Sequence, residues 1–324
     1  MKTVGIIGGS GYTGGELIRL VVNHPALALD FVYSTTRPGT PISNTHQDLL
    51  GTLNLNFTDK INPKIEVLFL CLGHGNSSAF LEKHSFSSST IIIDLSNDFR
   101  LNADAHFSGR EFIYGLPETN KEAIEKATAI ANPGCFATAI QLALLPLAKA
   151  AKLTETVHVN ATTGSTGAGV SLSPTTHFTW RNNNLSWYKP FTHQHLGEIS
   201  ETIGQLQGNE VDVLFLPQRG DFTRGIFASA YTKFEGSLKE AYALYNKFYK
   251  DAPFTQVATK EVNLKLVVNT NQCFLHLHKH GDQLLITAVI DNLIKGASGQ
   301  AIQNLNLIMG WEETLGLQLK ASIF

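Results

Sequence analysis

The sequence predicts an α/β protein, and three observations carry that prediction. A short apolar run, "KTVGIIG", passes at once into the glycine-rich "GSGYTGG" and then into the helically spaced "ELIRLVVNH". Further strand-like runs follow, "LALDFVYS", "KIEVLFLCLGHG" and "TIIIDLSNDFR", alternating with helical segments. Strands that alternate with helices form a doubly wound parallel sheet, because each crossover helix covers a sheet face. The chain has 324 residues, which at roughly 100–200 residues per domain suggests two domains. The expected architecture is a Rossmann-like N-terminal domain, an α+β second domain, and a C-terminal helix that returns to the first.

Composition narrows the function classes. Hydrophobic residues make up 43% and charged residues 16%, enough apolar matter for a sizeable core. A formal net charge of −2 draws the molecule neither to nucleic acid nor to anionic lipid. Three widely spaced cysteines form neither a disulfide framework nor a CxxC pattern, which fits a reducing compartment. The first residues run straight into a strand without a signal-peptide pattern, and no run of 18 apolar residues occurs. The expectation is a cytoplasmic protein with no membrane or nucleic-acid partner.

The first strand and its turn suit a nucleotide. Gly8, Gly11 and Gly14 recur at every third position, with Gly9 between them. Glycine lets the backbone approach a phosphate closely, and a helix N-terminus offers it free N–H groups. The second strand ends in Ser34, Thr35, Thr36 and Arg37, where many dinucleotide folds carry an acid for the ribose hydroxyl. Hydroxyls beside a guanidinium suit a 2′-phosphate, so NADP(H) is expected rather than NAD. Gly73 and His74 end the strand "KIEVLFLCLGHG", a position where open α/β sheets bind ligands. Cys71, inside that run, reads as a small core residue.

The stretch "ANPGCFATAIQLALLPLAKAAKL" raises a chemical possibility. An Asn-Pro-Gly turn ends a strand, and a helix too apolar for the surface begins at Cys135. Pro146 is expected to kink or end its first part. A free thiol has a pKa of about 8.5, and the positive end of a helix favours the thiolate. Cys135 is thus a candidate nucleophile that takes an acyl group as a thioester, which a nicotinamide hydride reduces to an aldehyde.

Such a nucleophile needs an acid/base partner. His193 and His195 precede a helix starting near Leu196. Residues two apart do not share a helix face, and no HExxH occurs, so no metal is expected. His195 is preferred to His193 as the acid/base, without the choice being closed. Glu198 follows one turn later. The "GSTGAG" loop with Gly167 is a candidate to line the cofactor. His276, His278 and His280 alternate along a strand and read as one surface face.

Taken together, "GIIGGSGYTGGEL", "DLSNDFRL", "YGLPE", "NPGCFATA", "HQHLGEI", "FTRGI" and "DNLIKGASGQAIQNLN" resemble the N-acetyl-gamma-glutamyl-phosphate reductase family of arginine biosynthesis, from residue 4 to about 311. The first segment alone is common, but "NPGC" and the last segment separate this family from aspartate-semialdehyde dehydrogenases. The resemblance implies an NADP-binding domain over 1–134 and 297–324, and a catalytic and oligomerisation domain over 135–296. It implies Cys135 as the acylated nucleophile and a histidine of His193-Gln194-His195 as acid/base. Gly8, Ser10, Gly11, Tyr12 and Thr13 would hold the cofactor phosphates, and Asn292 would face the nicotinamide. Arg100 and Arg224 are candidates for a substrate carboxylate or phosphate. Asn132, Gln141, Glu198 and Arg219 complete the substrate-binding candidates. The implied partners are a small acyl-phosphate substrate and further copies of the chain, as a homodimer or homotetramer.

The chain departs from the family pattern on the substrate side. "HQHLGEI" lacks the usual arginine and proline, "LPQRGDFTRGI" replaces a Thr-Pro-His run, and "TWRNNN" replaces a Glu-Val-Asn stretch. A carboxylate is lost while Arg181 and Arg219 are gained. Arginine suits a carboxylate, so the acyl group is acetyl or the more anionic succinyl. An aspartate- or aminoadipate-semialdehyde type of dehydrogenase and a non-catalytic NADP-binding regulator stand as alternatives.

Overall fold

The computed structural model describes residues 1–323. The chain divides into two compact units, Met1–Pro133 with Ala297–Gln318, and Gly134–Gly296 with the segment from Leu319.

The first unit is built on a seven-stranded sheet. Its elements are β1 Lys2–Ile7, α1 Tyr12–Val22, β2 Leu27–Tyr33, β3 Phe57–Thr58, β4 Val67–Leu70, α2 Asn76–Lys83 and β5 Ile91–Asp94. A small hairpin, β6 His106–Phe107 with β7 Arg110–Glu111, precedes β8 Ile113–Tyr114, α3 Pro117–Ile124 and β9 Ala129–Ala131. Strand order is β3-β2-β1-β4-β5-β9-β8, and every neighbouring pair is parallel. Parallel strands buried on both faces read as continuous apolar runs, and all four residues of β4 are buried.

The second unit opens with α4 Cys135–Lys149 and β10 Val157–Thr163. Next come α5 Phe178–Arg181, β11 Ser186–Trp187, α6 His195–Gln207, β12 Val213–Arg219 and β13 Ile226–Lys233. The remaining elements are α7 Leu238–Phe248, β14 Thr255–Ala258, β15 Cys273–His280 and β16 Gln283–Ile290. The strands form a mixed sheet ordered β11-β12-β10-β13-β16-β15-β14. Burial alternates along β10, β12 and β13, so one face is covered and the other half-exposed. Helix α4 packs against β13 and β16 and against α6 and α7. His276, His278 and His280 alternate along β15, and the last two are exposed.

A π-helical turn, Ile294–Ser298, leads to α8 Gly299–Ile308, which belongs to the first unit. The C-terminal helix therefore returns as the sequence predicts. Residues beyond it do not all follow. Ser322 donates its N–H to Val268 at 3.1 Å and Asn269 donates to the Lys320 carbonyl at 3.4 Å, so the segment from Leu319 lies with the second unit.

Pro146 neither breaks nor ends α4, contrary to expectation. Its ring removes the N–H that would reach the Leu142 carbonyl and crowds the turn before it. One tyrosine replaces the lost donor and a second bonds the next carbonyl. Tyr249 donates its hydroxyl to Leu142 O and Tyr245 donates to Ala143 O, each at 2.5 Å. Residues 136–148 are buried on every side of the helix, so water has no access to supply that bond.

Tyr249→Phe is therefore expected to lower unfolding stability by about 1–3 kcal/mol, the cost of a buried carbonyl without a donor. In a Pro146→Ala background the helix regains its own N–H, and the same substitution should cost measurably less in urea titrations. Equal losses in both backgrounds would contradict the account.

Candidate active site

In the first unit the strand order reverses at β1, which lies between β2 and β4. Open α/β sheets bind ligands beyond the strand ends at such a point. Gly8 follows β1 with φ 78°, and a Cβ there would lie 2.6 Å from the Cys71 carbonyl oxygen. Only glycine meets both demands. Helix α1 then starts with Gly11 as its N-cap, with no side-chain cap and no acid in its first turn. A Cβ built on Gly11 meets nothing within 4 Å, so the space beside the start of α1 is open at Gly11. That arrangement suits a pyrophosphate.

Helix α2 shows the opposite arrangement. The Asp98 carboxylate accepts the N–H groups of Gly75 at 2.6 Å and of Ser77 and Ser78 at 3.1 Å. Burial pushes the Asp98 pKa up, but these amides outweigh it and hold it below the usual range. A carboxylate already sits at α2, whereas α1 starts with none in its first turn.

Other cofactor candidates surround that turn. Ser10 belongs to it. Beyond β2, Ser34 is buried with its hydroxyl 3.3 Å from Thr36, and Arg37 is exposed next to them. Gly73 and His74 follow β4, where His74 Nδ1 accepts the Asn97 N–H at 3.2 Å. Asp94 ends β5 and accepts the hydroxyls of Ser77 at 2.5 Å and Ser96 at 2.6 Å. Burial pushes it up to about 6, against those two bonds and the Arg100 charge.

Two substrate-binding candidates in this unit are engaged by the protein itself. Arg100 is buried and donates to the carbonyls of Asn132 at 2.9 Å and Leu95 at 3.0 Å. Asn132 donates to Ala297 O and accepts from Asn304, each at 3.1 Å. Both tie β5, β9 and α8 together, because buried polar groups must find partners.

The second unit assembles the catalytic candidates. Cys135 is the first residue of α4, with Gly134 as an N-cap that offers no side-chain oxygen. His195 and Glu198 open α6 three residues apart, which puts both on one face. That face meets Gly134. A Cβ there would lie 2.3 Å from His195 Nε2 and 2.7 Å from Glu198 Oε1. Glu198 Oε2 accepts the Gly134 N–H at 3.0 Å, and its Oε1 lies 4.0 Å from His195 Nε2. Gly296 closes the other side, where a Cβ would lie 2.8 Å from Cys135 Cβ.

The two histidines differ in geometry. His195 turns Nε2 to the start of α4, whereas His193 Nδ1 accepts the His195 N–H at 3.2 Å. The His193 ring lies edge-on to Tyr188, at 5.7 Å between centroids. The Arg219 guanidinium stacks on Tyr188 at 4.5 Å. Burial pushes the Tyr188 hydroxyl up to about 12, with Arg219 opposing and Cys135 adding to the shift.

The remaining candidates lie elsewhere in this unit. Gln141 is buried inside α4. Arg224 forms a double contact with buried Asp291, Nε and Nη2 each donating at 3.1 Å. Asn292 accepts the Gly225 N–H at 2.7 Å and donates to Thr166 at 3.0 Å, so its amide is engaged at both ends in joining two loops. Gly167 is exposed in the Ser165–Ala168 turn. Arg181, expected to add a substrate-facing charge, is buried and held by protein oxygens.

Comparison with known proteins sharpens the assignment. Residues 3–127 match the family described as "Semialdehyde dehydrogenase, NAD binding domain", and residues 135–292 match "Semialdehyde dehydrogenase, dimerisation domain". N-acetyl-gamma-glutamyl-phosphate reductase of Flavobacterium johnsoniae is 62% identical over the full length of both chains. The proteins of that name from Christiangramia forsetii and Bacteroides fragilis are 58% and 51% identical, again over both full lengths. The chain belongs to the N-acetyl-gamma-glutamyl-phosphate reductase family. Among solved structures, aspartate semialdehyde dehydrogenase II of Vibrio cholerae superposes with a TM-score of 0.73 at 16% identity, covering 96% of this chain and 98% of the other. The Candida albicans aspartate semialdehyde dehydrogenase gives 0.68 at 12% identity, covering 95% and 98%. Aspartate-semialdehyde dehydrogenases thus share the fold with this reductase family at a distance.

Reading the sequence missed Tyr188 and Asp98. Tyr188 stands five residues before His193, too far along a loop for spacing to reveal its ring contact. Asp98 lay in a quoted motif, and its position two residues after Ser96 gave the signal of a turn.

Asp94 supplies a pH test. Its folded pKa of about 6 exceeds the unfolded value of about 4. Between those values the folded state binds more protons, so stability from this group falls as pH rises. The stability difference between wild type and Asp94→Asn should decline from pH 4 to pH 6 in urea titrations; a flat difference would contradict it.

Proposed function

We propose that this chain reduces an N-acyl-γ-glutamyl phosphate with NADPH, giving phosphate and the N-acyl-glutamate 5-semialdehyde, in arginine biosynthesis. The observation that carries the reading is Cys135 at the uncapped start of a buried helix, with His195 and Glu198 brought onto its N-cap by a glycine. The full-length identity to reductases of that name supports the same substrate class.

In this reading His195 Nε2 takes the Cys135 proton. The thiolate attacks the acyl carbon, a C–S bond forms, and the C–O bond to phosphate breaks. NADPH, when bound, supplies a hydride to the thioester carbon. His195 holds its proton against the oxyanion that develops and returns it to sulfur as the C–S bond breaks and the aldehyde leaves. Glu198 holds the Gly134 amide and the face that carries His195. His193 fixes the start of α6 through the His195 N–H.

Gly8, Ser10, Gly11, Tyr12 and Thr13 would hold the pyrophosphate. The buried Ser34 hydroxyl, Thr36 and the exposed Arg37 favour a 2′-phosphate, hence NADPH over NADH. Gly73 and His74 lie at the strand end suited to the nicotinamide half.

One observation favours an anionic acyl group. Arg219 lies on Tyr188, whose ring borders His193. With Arg181 committed to protein oxygens, the succinyl reading rests on Arg219 alone.

Assembly into a homodimer or homotetramer is supported by the half-exposed sheet face of the second unit. It is also supported by the exposed side chains of Val170, Leu172, Phe178, Leu185, Trp187 and Phe191. Light scattering is expected to give two or four times the 35.4 kDa chain mass; a monomer at micromolar concentration would sink this.

Turnover is best measured as phosphate-dependent NADP reduction with a panel of semialdehydes. N-acyl-glutamate semialdehydes should be strongly preferred to aspartate and aminoadipate semialdehydes, and Cys135→Ala should lose at least about 10⁴-fold in kcat. Full activity in that variant would remove Cys135 from the mechanism, and NADPH binding without any turnover would favour a regulator. Equal kcat/KM for the acetyl and succinyl substrates, or a preference for acetyl, would reject the succinyl reading. Arg37→Ala should raise KM for NADPH without raising that for NADH.

A further inference from the structure

Arg181 is a buried cation whose bonds go to neutral oxygens. It is 6% exposed. Its Nη1 donates to the Arg219 carbonyl, to Gly220 O at 3.3 Å and to Asn184 O at 3.5 Å, and Nη2 donates to Ser186 Oγ at 2.9 Å. The Trp180 ring covers it at 4.8 Å. Burying a guanidinium is costly unless its donors are satisfied. Here Nη1 and Nη2 are satisfied by gathering one short region of the chain, while Nε is left buried without a hydrogen bond.

That region is the foundation of the substrate-side wall. Residues 218–219 of β12 pair with Ser186–Trp187 of β11, and Tyr188 follows directly. Arg181 binds both strands of this pair, one through Arg219 O and the other through Ser186 Oγ. Arg219 at the end of β12 stacks its guanidinium on Tyr188, the residue after β11. Tyr188 in turn borders His193, whose ring centroid is 4.6 Å from that of His195.

We propose that Arg181 is a positioning residue for the reaction: it fixes the register of β11 on β12 and so aims the Arg219 guanidinium at the anionic end of the substrate. A guanidinium fork reaches several carbonyls at fixed angles, which an ammonium does not reproduce. Arg181 touches neither the thiol nor the substrate and acts through Arg219. The inference rests on the reading of the reaction given above.

The test is a double-mutant cycle on the full-length enzyme, scored by KM and kcat separately. Arg181→Lys and Arg181→Met are each expected to raise KM for the acyl phosphate about tenfold. The kcat should stay within about twofold and KM for NADPH should not move. In an Arg219→Met background the further rise should vanish, since the group being aimed is gone. An unchanged KM, an equal rise in both backgrounds, or an effect confined to kcat would overturn the proposal. Should Arg181 variants fail to fold, Ser186→Ala removes a single bond of the fork. It is expected to raise the same KM about threefold, and no change there overturns the proposal equally. Absence of wild-type turnover would overturn the reaction itself, a result distinct from any of these.

Discussion

The approach of α6 to the first turn of α4 is the contact on which the candidate site of the second unit depends. It exists because residue 134 has no side chain. Any Cβ there would intrude on His195 and Glu198 within 3 Å, a distance that real side chains do not tolerate. The approach also settles the backbone. Glu198 takes the N–H of Gly134, one of the donors that a helix start leaves without an intrahelical partner. The same glycine therefore admits an imidazole, receives a carboxylate and delivers the chain into Cys135.

That contact needs a rigid platform, and α4 provides one by being buried on every side. A helix so placed cannot draw on water for its polar groups. The interruption at Pro146 is repaired by the hydroxyl of Tyr249 at the end of α7, and Tyr245 bonds the next carbonyl. In the first unit, Arg100, Asn132 and Asn304 form a similar internal network, linking the strand ends to the helix that follows the second unit's last strand.

The sequence made the fold legible because the periodicities are strong. The apolar runs became strands, although β4 and β5 are only four residues long and β4 ends at Leu70, before Gly73 and His74, and the glycine turn after β1 lies where the strand order reverses. The placement of Cys135 at a helix start and of His195 and Glu198 on one helix face was also legible, since a helix start and a three-residue spacing are local properties. Polar residues whose partners are distant in sequence were not. Arg100, Asn132 and Asn292 have side chains suited to a ligand, yet each finds its partner inside the protein. Residue type cannot distinguish these outcomes, because a guanidinium binds a carbonyl and a carboxylate by the same donors. Pro146 illustrates the same limit: the helix-breaking rule is local, and the tyrosine that offsets it comes from about a hundred residues away.

The partners of Arg181 carry a last consequence. A clamp made from an ion pair weakens when its carboxylate is protonated or when salt screens it. The hydrogen bonds of the Arg181 guanidinium go to peptide carbonyls and a serine hydroxyl, none of which titrates between mildly acidic and alkaline conditions, although the charges of Asp221 and Arg219 also act on it. In the proposed reaction His195 takes up and returns a proton. The strand pair that Arg181 ties keeps its register while that proton moves, so proton traffic is separated from shape.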